Sequence, residues 1–127
     1  MSDAILDASA LLAVLRSEPG AERVQDRLTC SLISAVNLSE VVAKAIDYGG
    51  SLEAVSALLG RLPFSVVPFT DEHAYLAASL RAPTRPLGLS LGDRACLALG
   101  LKTGFPVLST EQVWAKLDVG VTVELIR

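Results

Sequence analysis

The sequence predicts an α/β fold, a small parallel sheet of about five strands with helices on both faces. Two observations carry this prediction. Short apolar runs recur along the chain, each bounded by Gly, Pro or small polar residues. Between them lie segments whose apolar residues repeat at helical spacing. Strands and helices alternating in this way fit parallel strands joined by helical crossovers. The 127 residues suit one domain spanning 1–127, and 51% apolar side chains suffice for a core without disulfides or a structural metal.

Ala4-Ile5-Leu6-Asp7 reads as a first strand ending in an acid. Ala8 to Leu15 is helical until Glu18-Pro19-Gly20 breaks it, and Ala21 to Leu28 reads as a short second helix. Ser31 to Ser34 is a second strand. Asn37 opens a helix with Val41, Val42, Ala45 and Ile46 on its apolar face, ending at Tyr48-Gly49-Gly50. Ser51 caps a further helix carrying Val55, Leu58 and Leu59. Phe64 to Pro68 is a third strand, and Thr70 opens a helix reaching about Leu80. Arg81 to Leu89, with Pro83, Pro86 and Gly88, reads as a loop. Ser90 caps a helix running to about Thr103. Pro106 to Ser109 is a fourth strand, Gln112 to Leu117 a short helix, and Val121 to Leu125 a fifth strand. No internal repeat or linker interrupts the chain.

Charged residues make up 20% of the sequence, which fits a globular rather than a disordered chain. The mean hydropathy of +0.48 is high, and the excess apolar surface is expected to cover a subunit or partner interface. No apolar run is long enough to span a bilayer. Met1 to Ala4 has no basic segment before an apolar stretch, so a cytoplasmic protein without a signal peptide is expected. Cys30 and Cys96 lack metal-ligand spacing and read as reduced thiols, with Cys96 in the core. A net charge of −3 argues against broad nonspecific binding to duplex nucleic acid but not against a nuclease, whose carboxylate site is itself negative.

Ligands of open α/β sheets bind beyond the carboxyl ends of the strands. Asp7 closes the first strand and Glu111 follows the fourth. Glu40 and Asp93 fall in the first turns of two helices. A parallel sheet brings four such acids to one edge, where a hard divalent cation relieves their repulsion. Each acid also has a structural reading. Asn37-x-x-Glu40 and Ser90-x-x-Asp93 resemble capping boxes, Glu111 suits a helix dipole, and Asp7 precedes a helix it could cap.

Leu6-Asp7-Ala8-Ser9-Ala10-Leu11-Leu12, Asn37-Leu38-Ser39-Glu40-Val41, Leu89 to Leu99 and Pro106 to Trp114 together resemble, in order, the four motifs of PIN domains of the VapC toxin type. The resemblance covers nearly the whole chain. It implies a PIN fold, Mg²⁺ or Mn²⁺ binding and hydrolytic cleavage of RNA by an acidic site of Asp7, Glu40, Asp93 and Glu111. It also implies a homodimer and a cognate antitoxin that blocks the site. The family usually has Asp where Glu111 stands. Asp7 and Asp93 are therefore expected as direct metal ligands, with Glu40 and Glu111 acting through water. Ser9, Asn37 and Ser109 are expected to support the site, and Arg94 to touch a phosphate or form a surface salt bridge. Arg81 and Arg85 are weaker candidates for RNA contact.

The remaining residues read as structural: His73 in an exposed first helical turn, Tyr75 and Trp114 in packing. An Asp7-nucleophile phosphohydrolase is disfavoured because Ser9 stands where a second acid is needed. A rival from another class is a non-catalytic partner-binding α/β domain whose acids only cap helices.

Overall fold

The computed structural model describes residues 3–127. Five short strands form one sheet: β1 (Ala4–Leu6), β2 (Ser31–Ser34), β3 (Ser65–Val67), β4 (Val107–Ser109) and β5 (Val123–Leu125). All pair in parallel, in the order β3-β2-β1-β4-β5. Among the described residues seven α-helices connect them: α1 (Ala8–Leu15), α2 (Ala21–Gln25), α3 (Ala35–Asp47), α4 (Leu52–Leu59), α5 (Asp71–Ser79), α6 (Arg81–Thr84) and α7 (Leu91–Thr103).

Because strand side chains alternate, a sheet covered on both faces needs apolar residues at every position. That is the pattern of β1, which is wholly buried. Ala4 and Leu6 join Ile33 and Leu108 against α1 to α4, while Ile5 and Val107 face α5 and α7. Helix α7 is buried over nearly its whole length from Gly92 to Gly100, which explains its lack of an amphipathic stripe. It ends at Gly104, whose φ of 77° requires a residue tolerant of left-handed backbone.

Four helices begin with a hydroxyl that accepts a backbone N–H bond: Ser34 from Val36, Ser51 from Ala54, Thr70 from His73 and Ser90 from Asp93. The last three match the sequence reading. The first corrects it, because α3 starts at Ala35, and Glu40 therefore lies in its second turn rather than its first. The proline-rich stretch is also not a plain loop. It forms α6 and a 3₁₀ turn (Arg85–Leu87), with Pro86 in the first turn where it sacrifices no hydrogen bond. The second helix stops at Gln25 and a 3₁₀ turn follows it at Leu28–Cys30.

Trp114 and Cys96 are core residues as expected. Tyr75 is not, being 81% exposed on α5. His73 reverses the other way. Its side chain is buried and sits edge-on to Phe69, with centroids 6.2 Å apart. Among the described residues no helix is long and apolar enough to cross a membrane.

Candidate active site

The chain runs outward from β1 to β2 and β3, then returns to place β4 on the other side of β1. This reversal opens a crevice beyond the carboxyl ends of β1 and β4. Asp7 leaves β1 there, and Ser109 ends β4 beside it. Asp7, Ser9, Glu40, Asp93 and Glu111 line one cavity of about 180 Å³, together with Ala8, Leu12 and Lys44. All four acids expected from the sequence thus meet, from elements spread over more than a hundred residues.

Asp7 is the most buried of the four. It occupies the N-cap position of α1 but makes no side-chain cap bond. Its Oδ2 instead accepts from Ser9 Oγ at 2.6 Å and Ser109 Oγ at 2.9 Å. Each serine is held in turn. Thr110 N–H donates to Ser9 Oγ and Glu111 N–H to Ser109 Oγ, both at 3.0 Å. An oxygen that already accepts a backbone N–H is left to donate its own proton, here to Asp7. Burial nevertheless dominates and pushes the Asp7 carboxyl up to about 6, the serine bonds opposing and the nearby Asp93 charge adding to the rise. Cys96 lies beneath the site. Its thiol is pushed well above the usual range, chiefly by burial and then by the fields of Asp7, Asp93 and Glu40.

Asn37 is not a helix cap. Its side chain is fully buried inside α3, and Nδ2 donates both to Glu40 Oε1 and to the Gly92 carbonyl at 2.9 Å. The amide therefore ties the Glu40 carboxylate to the first turn of α7, while among the described residues its Oδ1 has no partner. Gly92 makes the approach possible, since a Cβ there would lie 2.5 Å from the Glu40 carboxylate carbon. Sequence reasoning missed Gly92. Its signal was a glycine in the first turn of a helix, a position that costs roughly 0.5–1 kcal/mol relative to Ala unless something must come close.

Asp93 forms the capping box read from the sequence, its Oδ2 accepting from Ser90 N–H at 2.9 Å while Ser90 Oγ accepts from Asp93 N–H. Among the described residues its Oδ1 makes no hydrogen bond. Glu111 sits at the N-cap of a 3₁₀ turn (Gln112–Lys116) without a side-chain cap bond, so its exposed carboxylate is free to face the cavity. Arg94 corrects both of its readings. It is buried on α7, where a guanidinium nitrogen donates to the Ala77 carbonyl at 3.1 Å, and it touches neither the cavity nor a carboxylate. Arg81 and Arg85 line a separate small cavity with Gly88 and Leu89.

The donor set consists of carboxylates and hydroxyls, which suits a hard cation such as Mg²⁺ or Mn²⁺. Among the described residues no three acidic, His or Cys side chains form a ready-made metal cage. Oxygen donors of this kind suit Mg²⁺, which takes one or two carboxylates and keeps several of its waters.

Fold and cavity together define a doubly wound α/β protein with an acidic site at its topological switch point. The chain belongs to the PIN domain family, whose model matches residues 4–120. No curated protein sequence matches it. Similar solved structures include the DNA-bound VapBC of Salmonella typhimurium, with TM-score 0.78, 16% identity and 100% of each chain covered. A second is Mycobacterium tuberculosis VapC20, described as a sarcin-ricin loop cleaving toxin, with TM-score 0.74, 18% identity, and 94% of this chain and 99% of that one covered. A third is VapBC-5, a toxin-antitoxin system of the same organism, with TM-score 0.66, 21% identity, and 100% of this chain and 99% of that one covered. At these identities the likeness is one of fold.

Proposed function

We propose that this chain is a Mg²⁺- or Mn²⁺-dependent endoribonuclease and the toxin of a toxin-antitoxin pair. The observation that carries the reading is the meeting of Asp7, Glu40, Asp93 and Glu111 in one cavity at the switch point. A protein that buries a carboxylate as unfavourably as Asp7 gives up stability, and function is the usual reason. Membership of the PIN family and the fold shared with an RNA-cleaving toxin support RNA as substrate. The toxin-antitoxin complexes of the same fold support a cognate antitoxin as partner. The homodimer is part of the same proposal, supported by the exposed apolar side chains Tyr48, Val66 and Tyr75.

Asp7 and Asp93 would hold the metal directly, Asp93 through the oxygen that the capping box leaves free. When bound, the ion supplies an activated water and polarises the phosphate. Ser9 and Ser109 orient the Asp7 carboxylate by donating to it. Glu40, fixed by Asn37, would accept a hydrogen bond from the attacking water. Glu111 supports the outer side of the cavity.

A second reading is favoured by one observation. The complete Ser90–Asp93 capping box is what a purely structural acid would make. Incubating RNA with the protein and Mn²⁺, with and without EDTA, decides between them. The nuclease reading expects cleavage that EDTA abolishes and that Asp93→Asn lacks. No cleavage of any RNA in Mn²⁺, or cleavage indifferent to EDTA and to Asp93→Asn, would overturn it.

A further inference from the structure

An acidic site that cuts an anionic polymer needs a cation to receive the strand, and this chain has few to offer. Arg16, Arg27, Lys102 and Arg127 are already in ion pairs, and Arg94 is buried. Arg23, Lys44, Arg61, Arg81, Arg85 and Lys116 make no ion pair among the described residues. Of these only Lys44 lines the acidic cavity.

Lys44 stands four residues after Glu40 on α3, the spacing and direction at which a Glu–Lys pair usually forms. No such pair exists here. Asn37 draws the Glu40 carboxylate toward α7, and Gly92 lets it settle there. The same clamp that positions Glu40 thus leaves the Lys44 ammonium exposed and unneutralised at the edge of the cavity.

We propose that Lys44 is a substrate-binding residue that holds a backbone phosphate of the RNA strand on the α3 side of the acidic cavity. Lysine suits this role as a flexible point charge with three donors. The proposal rests on the ribonuclease reading for its substrate class. It also explains how a chain of net charge −3 engages RNA without a basic face.

The test is steady-state cleavage of a labelled mixed-sequence single-stranded RNA in Mn²⁺ at several salt concentrations. Lys44→Ala, Lys44→Arg and the control Arg61→Ala are compared with wild type. Losing one charge-assisted contact should raise KM by roughly tenfold, with kcat changed by less than about twofold. The slope of log affinity against log salt should fall by about 0.7, the loss of one phosphate contact on a single strand. Lys44→Arg should restore KM, and Arg61→Ala should resemble wild type. Unchanged KM and slope in Lys44→Ala would overturn the proposal. So would a loss confined to kcat with an altered Mn²⁺ requirement, because Lys44 would then act on the carboxylates. Failure of the ribonuclease reading shows separately, as no cleavage by wild type. The same RNA titrated by fluorescence anisotropy in EDTA then decides: a lower salt slope in Lys44→Ala upholds the phosphate contact, and equal slopes refute it.

Discussion

The acidic cavity and the apolar groove on the other side of α3 are built from the same helix by opposite rules. Asn37, Glu40 and Lys44 fall at helical spacing on one side of α3 and border the acidic cavity. Leu38 and Val42 fall on another and line a groove of about 360 Å³ with Leu52, Leu59, Leu62 and Phe64. The groove is the larger and greasier of the two, the sort of concavity that attracts attention as a ligand site. The four acids of the proposed site nevertheless line the smaller one. What marks it is cost, namely a buried carboxylate, a buried amide oxygen without a partner among the described residues, and a glycine inside a helix. The groove carries none of these three.

The largest expected effect tests that cost directly. Asp7→Asn and Asp93→Asn should each reduce RNA cleavage to background while circular dichroism stays native. Stability should move the other way for Asp7. Its carboxyl titrates near 6 in the folded protein and near 3.8 in the unfolded chain, so the native state binds more protons between those values. Stability therefore falls as pH rises through that window, by up to about 3 kcal/mol once above it. In EDTA at pH 7.5, Asp7→Asn should melt higher than wild type, and near pH 3.5 the gap should close. A mutant no more stable than wild type at pH 7.5 would show that the cavity carries no such cost. Saturating Mn²⁺ should reverse the order, because a ligand of the native state adds roughly 2.7 kcal/mol at about 100 times its dissociation constant. Binding the ion also displaces the Asp7 proton, so Mn²⁺ affinity should climb between pH 5 and about 6 and then level off.

Gly92→Ala ranks next. The added methyl would collide with the Glu40 carboxylate and push it off Asn37, while the Asn37 bond to the Gly92 backbone carbonyl stays in place. Cleavage should fall by roughly 10–100-fold, the scale of outer-shell changes at metal sites. Removing a helical glycine would by itself be worth up to about 1 kcal/mol of added stability. A rate unchanged with a higher melting temperature would show that Glu40 needs no clamp.

The two regions were unequally legible in the sequence. The strands and the caps Ser51, Thr70 and Ser90 were readable, because each rests on local chemistry. So was the placement of four acids at one edge, once a parallel sheet was inferred. Gly92 and Lys44 were passed over, Arg94 was misread, and Asn37, expected beside the site, was misread only as a cap, all for one shared reason. Their surroundings depend on how α3 and α5 pack against α7, and the spacing of residues within one helix does not say which other helix it meets. Asn37-x-x-Glu40 looks like a capping box in one dimension, and only the earlier cap at Ser34 shows that it is not one. The groove left still less trace, since Val42 read as part of an ordinary apolar helix face.

Glu111 sharpens the comparison at a lower magnitude. Its backbone N–H is fixed by Ser109, but among the described residues its side chain makes no bond, and it remains exposed. Glu111→Ala should therefore cost cleavage less than Asp93→Asn does, within about 10–100-fold. Glu111→Asp should keep or raise activity. Because no cap bond is lost, the melting temperature should hold. A fall in stability with cleavage intact would return Glu111 to a structural role, and a loss as complete as for Asp93 would make it a direct ligand.

The smallest expected effect is the one able to break the comparison altogether. If α3 truly separates the two regions, changes in the groove should not be felt in the cavity. Leu52 is 59% exposed at the start of α4, and Ser51, which caps that helix, is untouched by Leu52→Ser. Surface changes of this kind shift stability by about 0.5 kcal/mol or less. Val42→Ala is the sharper test, because Val42 sits on α3 two residues from Glu40 and packs against the core. It should cost roughly 1 kcal/mol from the two lost methyl groups. Yet Glu40 is held by Asn37 and Gly92, both outside the groove, so kcat/KM should stay within about twofold of wild type. Measuring cleavage and melting temperature on both variants checks this. A tenfold loss of cleavage in Val42→Ala at unchanged fold would mean that groove packing sets the position of Glu40. The groove would then be part of the site, and whatever fills it would govern the enzyme.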